Sequence, residues 1–150
     1  MHIFDIVTIL CTSLMTGNEL AVSLFIHPSL CHLDDRARAR ALSLFARSLG
    51  KGMPAWYVVS LVLIAAEALL RRHGPALMLL VAALTLWLAV IIFTVIVLVP
   101  INNRIAALDP SALPVNWLQD HMRWETLHRW RIASLIAATA CLTYAIVRFK

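Results

Sequence analysis

Apolar residues in this chain gather into long runs, over about 3–26, 54–70, 75–99 and 131–147, which together take up more than half of it. A helix crossing a bilayer needs about 20 mostly apolar residues, and 17 is near the lower limit. The pattern predicts an all-α integral membrane protein, a four-helix bundle forming one domain over 1–150, with no internal repeat.

The polar stretches between the runs predict the remaining elements. Over 34–51 (DDRARARALSLFARSLGK), helical phase gathers Arg36, Arg40, Arg47 and Lys51 on one narrow arc, with Leu42, Phe45 and Leu49 roughly opposite. This predicts an additional amphipathic interfacial helix, N-capped by Asp34 or Asp35, lying in the headgroup layer or covering the bundle's end. Gly50, Gly52 and Pro54 are expected to break it before the second span, and Trp56-Tyr57 to anchor at the membrane interface. Pro28 and Pro100 are expected to stop the first and third spans. The short Arg71-Arg72-His73-Gly74-Pro75 turn implies antiparallel neighbours. The fourth helix is expected to begin near Trp117, extended N-terminally ahead of its span.

Composition narrows the class. Apolar residues make up 61% of the chain and charged residues 14%, against about 45–50% and 25% in soluble proteins. Mean hydropathy is +0.83. A net charge of +5 and a pI near 9.7 would suit nucleic acid, but the basic residues flank the spans, where they meet anionic headgroups instead. Cys11, Cys31 and Cys141 are odd in number and lack CxxC spacing, which supports neither a disulfide framework nor a zinc ribbon. The first run makes a poor signal peptide: it lacks Lys or Arg before Arg36, carries Asp5 and is interrupted by Asn18-Glu19.

One face carries Arg36, Arg38, Arg40, Arg47, Lys51, Arg104, Arg123, Arg129 and Arg131; the other carries Arg71, Arg72, Arg148 and Lys150. Positive-inside orientation in the cell membrane then sets both termini on the non-cytoplasmic side.

Ionisable residues within spans are costly and face a bundle interior or a wet cavity. On the first span Asp5, Thr8, Thr12, Thr16, Glu19, Ser23 and His27 recur every three or four residues as one polar stripe. On the fourth helix Trp117, His121, Trp124, His128 and Arg131 do the same, flanked by Glu125. The two stripes predict a polar seam between the first and fourth helices. Alternating spans bring His27, Asn102, Asn103, His121, Trp124, His128 and Arg131 to one membrane face, with Glu19 about 12 Å deeper than His27.

Structural readings compete at several positions. Glu67 and Arg71, four apart, read as an ion pair, and Glu125 with Arg129 allows the same reading. Asp5 is expected to reach water at its helix end. Trp117 and Trp124 fit interface anchors or cavity walls, His121 fits solvent or the cavity mouth, and Asn18, off the stripe, fits a bond across helices. For a metal, Glu19, His27, His121, Glu125 and His128 offer nitrogen and oxygen ligands that suit iron, zinc or copper, with Glu19, His27 and His128 the candidates and the ligands recruited between helices. His121 and His128, about 10.5 Å apart along one helix, are too far apart to share an ion easily.

The segments TGNELAVSLFIHPSL (16–30), VPINNRIAALDP (99–110) and WETLHRWR (124–131), in that order and spacing, resemble the small four-span membrane family that includes the fungal anthrone oxygenases. The resemblance implies oxidation of a polycyclic aromatic methylene to a ketone, with dioxygen as co-substrate and without flavin or haem. It implies as partners the lipid bilayer and a hydrophobic aromatic or quinol-type small molecule. Carried onto this chain, His128 or His27 takes the proton, Arg131 with Asn102 or Asn103 holds the oxyanion, and Trp124 stacks on the ring. Glu19 orients an imidazole or holds its charged form, and His121 lies toward the mouth. The alternative is a non-enzymatic membrane protein that binds a lipid, quinone or metal, or stabilises a partner. Association into a homo-oligomer stays open. A transporter fits less well, because one four-helix unit has no midplane helix break and no inverted repeat.

Overall fold

The computed structural model describes residues 3–149, and among them every regular element is helical. Four helices are long and apolar enough to cross a membrane: α1 (Ile3–Leu30), α2 (Asp35–Leu70), α3 (Leu77–Ala106) and α4 (Trp117–Arg148). Together they describe a multi-pass membrane protein. Leu10, Leu14, Val58, Val62, Val81, Leu88, Ile92 and Ile136 are exposed on the outer faces, an arrangement that suits acyl chains rather than water. The most extensive packing is between α3 and α4, and α1 lies against both α4 and α2.

The separate interfacial helix is not there. Residues 35–70 form one continuous helix with Pro54 inside it, and Asp34 is the N-cap, its Oδ1 accepting from the backbone N–H groups of Arg36 and Ala37 at 3.0 Å each. Losing one internal hydrogen bond to proline costs about 3 kcal/mol, and packing on both sides offsets it. Ala46 and Tyr57, both buried, are eleven residues apart, close to three full turns. An unbroken helix therefore keeps both halves in phase against the same neighbours. The amphipathic reading of this stretch holds locally: Arg36, Arg40, Arg47 and Lys51 are exposed and Leu42 is buried, although Phe45 is also exposed.

Pro28 and Pro100 do not stop their helices either. Immediately before each lies one π-helical turn, Val22–Ile26 and Thr94–Leu98. The His27 N–H donates to the Val22 carbonyl, and the Val99 N–H to the Thr94 carbonyl, five residues back in each case. The wider turn relieves the clash between the proline ring and the preceding carbonyls, so each helix continues, to Leu30 and Ala106. In α1 it also corrects the phase. Eight regular residues from Glu19 to His27 turn about 800°, or 80° off the stripe, whereas one residue absorbed by the π turn leaves about 700°, within 20° of it.

Two apolar clusters flank the polar stripes. Met15, Ile64, Leu80, Trp87, Leu135 and Leu142 belong to the one toward the α2–α3 turn. Val22, Leu42, Ala46, Leu98, Ile101 and Ile105 belong to the other. Thr8 and Thr12 return their hydroxyls to carbonyls of their own helix, and Thr16 meets Thr139 of α4 at 3.0 Å. Asp5 does not reach water. It is 4% exposed and ion-paired with Arg71 at 2.9 Å, and Arg71 also pairs with Glu67, as the i,i+4 spacing predicts.

Candidate functional site

Between the two apolar clusters, Glu19 of α1 meets Arg131 of α4. Arg131 Nη2 donates to Glu19 Oε2 at 2.6 Å and also to His128 Nδ1 at 2.8 Å. The other carboxylate oxygen, Oε1, accepts from the Tyr57 hydroxyl at 3.0 Å. Arginine has only donors to offer, so the His128 nitrogen facing it presents a lone pair, and a neutral ring then carries its proton on Nε2. That Nε2 has no partner among the described residues.

Tyr57 is the member that sequence reasoning missed. Next to Trp56 and just after Pro54 it reads as an interfacial anchor, yet it is 5% exposed. Its carbonyl accepts from Trp87 Nε1 at 3.2 Å, and its ring lies 5.9 Å from the Arg131 guanidinium. Trp56 is also turned inward, donating to the Cys11 carbonyl at 3.1 Å. The available signal was phase, since Tyr57 falls on the buried face defined by Ser60 and Ile64.

The four aromatic and imidazole rings form a pile. Trp124 stacks on His128 at 4.4 Å and on His27 at 4.8 Å, and His27 stacks in turn on His121 at 5.1 Å. His121 is therefore not in solvent but 2% exposed, and neither of its ring nitrogens has a hydrogen-bond partner among the described residues. Trp117 and Trp124 are buried rather than interfacial. Glu125 turns toward His27 Nδ1, 3.3 Å away, and His121 Nε2, 3.6 Å away.

The pile separates two hollows. On one side is a cavity of about 340 Å³ whose polar lining includes Asn18, Glu19, Tyr57, Thr94, Asn102, Asn103 and Arg131, with Trp124 also against it. Its other walls are aliphatic, among them Val22, Met53, Ile91 and Leu98, and its rim includes the exposed Val58, Val95 and Val99. Asn18 bonds across to Met53 Sδ at 3.6 Å, and Asn102 donates to the Ala46 carbonyl at 3.4 Å. Gly50 borders this wall, where an added Cβ would stand 3.6 Å from Asn102 Nδ2. On the other side a cleft of about 280 Å³ is lined by Ser23, His27, Pro28, Cys31, Glu125, His128 and Arg129.

All eight predicted site residues lie in this region, seven of them in two groups and His121 in neither, stacked on His27. Glu19, Arg131, Trp124, Asn102 and Asn103 line the larger cavity, whereas His27 and His128 face the cleft. Of the five ligands the sequence offers, the candidate three, Glu19 with His27 and His128, are not the ones whose donor atoms converge. Both Glu19 oxygens are engaged by Tyr57 and Arg131, and His128 Nδ1 is engaged by Arg131. The donor atoms that do converge belong to His27, His121 and Glu125.

A family model described as anthrone oxygenase matches residues 41–141, a stretch that holds Tyr57, Asn102, Asn103, Trp124, His128 and Arg131, while Glu19 and His27 precede it. No curated protein sequence and no solved structure matches the chain.

Proposed function

The chain belongs to the anthrone oxygenase family, and on that premise we propose that it oxidises the activated methylene of a hydrophobic aromatic or quinol-type molecule to a ketone with dioxygen. The observation that carries this reading is the Glu19 carboxylate held between Tyr57 and Arg131 on the polar wall of a cavity lined elsewhere mainly by aliphatic side chains. At about 340 Å³ the cavity lies at the small end of ligand sites, which run from about 300 to 1,000 Å³, and this favours a compact fused-ring ligand. The exposed valines on its rim favour access from the bilayer.

A methylene flanked by two aryl rings in a system bearing a carbonyl is acidic, because its anion delocalises onto the carbonyl oxygen. Glu19 rather than an imidazole is the base in this reading, since neither His27 nor His128 lines the cavity. As the proton passes to Glu19, negative charge moves from the carboxylate to the substrate while Arg131 stays beside both. The ion pair is exchanged rather than lost, which keeps the barrier low in a water-poor site. Arg131, Asn102 and Asn103 supply the donors for the developing oxyanion, and His128 braces Arg131 from behind.

The carbanion then forms a C–O bond with dioxygen, which takes up the electron pair as a peroxide anion. That anion recovers the proton from Glu19 to give a hydroperoxide. Removal of the remaining methylene hydrogen as a proton and cleavage of the O–O bond yield the ketone and water. One oxygen atom enters each product, and no external reductant is needed.

The test is oxygen uptake by the detergent-purified protein with an anthrone under ¹⁸O₂. The expected result is one labelled oxygen in the ketone, with uptake abolished in Glu19→Gln while the protein still melts cooperatively. Binding of the anthrone without oxygen uptake by the wild type would replace this reading with the non-enzymatic one.

A further inference from the structure

At the His121 end of the ring pile, α1 and α4 bring together three side chains that the proposed oxidation does not use. His121 and Glu125 are four apart on α4 and share a face. His27 enters from α1 immediately after the π turn that rotates it back onto the polar stripe. One donor atom from each of the three lies within 4.8 Å of the other two. Two of these separations are given atom by atom: His27 Nδ1 to Glu125 Oε1 is 3.3 Å, and His121 Nε2 to the same oxygen is 3.6 Å. Ligands about 2.1 Å from one ion and 90–109° apart stand about 3.0–3.4 Å from each other, so one edge already fits and the other is slightly long.

Hydrogen bonding leaves these donors free. His27 Nδ1 and both His121 nitrogens are buried and without a hydrogen-bond partner among the described residues. A buried polar atom without a partner costs about 1–3 kcal/mol, and an ion that accepts one lone pair from each ring removes that cost at the ligating nitrogens. The rings are held by their neighbours: Trp124 and His121 both stack on His27. The nearby Arg38 guanidinium is paired with Asp35 at 3.2 Å. The cleft that reaches His27 and Glu125 gives an ion a way in and leaves coordination positions open.

We infer that His27, His121 and Glu125 form a binding site for a divalent first-row transition metal ion. Two imidazoles and one carboxylate suit iron(II), cobalt(II), manganese(II) and zinc(II), and they suit calcium or magnesium poorly. The site stands apart from the proposed oxidation and is read out without substrate, so either can fail alone.

The experiment titrates cobalt(II) into the purified, chelator-stripped full-length protein in detergent. One ion per chain is expected, with visible ligand-field bands that zinc(II) abolishes by displacement. His121→Ala and the less buried, isosteric Glu125→Gln should each weaken binding about a hundredfold or more, while His32→Ala, in the α1–α2 loop, should bind like the wild type. Absence of the bands in the wild type, or unchanged affinity in a folded Glu125→Gln protein, overturns the assignment.

Discussion

Glu19 and Arg131, separated by 112 positions in the chain, meet through a 2.6 Å charge-assisted hydrogen bond between buried side chains. Each answers the other's need for a countercharge, so replacing either alone costs stability. Removing one partner of a buried pair costs about 3–5 kcal/mol. Arg131→Met should lose stability on that scale in denaturant unfolding in detergent. The Glu19→Leu, Arg131→Met double variant should recover much of the loss without recovering turnover.

Tyr57→Phe deletes a single donor to Glu19 and keeps the ring beside Trp87, whose centroid is 6.2 Å away. Stability should fall by about 1–2 kcal/mol, and kcat for anthrone oxidation should fall more than KM rises. An unchanged kcat would leave Tyr57 with a packing role only.

The π turn in α1 amounts to one residue more than a regular helix needs. Deleting exposed Leu24 should let the segment close into ordinary α-helix with His27 still on the stripe. That variant should fold and still bind cobalt(II). Deleting Leu14, equally exposed but in regular helix, should turn every later residue of α1 by about 100° and abolish expression of folded protein.

With basic residues concentrated at the end of the bundle that carries the site, both termini should be non-cytoplasmic. A reporter active only in the cytoplasm, fused after Lys150, should be silent, and the same reporter inserted in the 107–116 loop should be active.

The fold was legible because apolar runs of bilayer length allow few alternatives, and Thr8, Thr12, Thr16 and Glu19 announce their buried face by spacing alone. Prolines were misread for a physical reason. Pro28 and Pro100 look like stops to a rule that assumes regular α-helix, and the π turns that accommodate them arise from packing rather than from a local motif. Pro54 misled similarly, because packing on both flanks outweighs one lost hydrogen bond. Within the site, Glu19, Trp124, His128 and Arg131 were visible as stripes. Tyr57 was hidden behind its aromatic neighbour, and the pairing of His121 with Glu125 was visible as a four-residue interval whose third member depends on how α1 is rotated.

The valine-lined rim of the larger cavity bears on how any assay must be scaled. A reactant arriving sideways from the acyl phase is counted per lipid, not per litre. Diluting it with inert phospholipid at constant bulk concentration should slow turnover, and adding buffer should not.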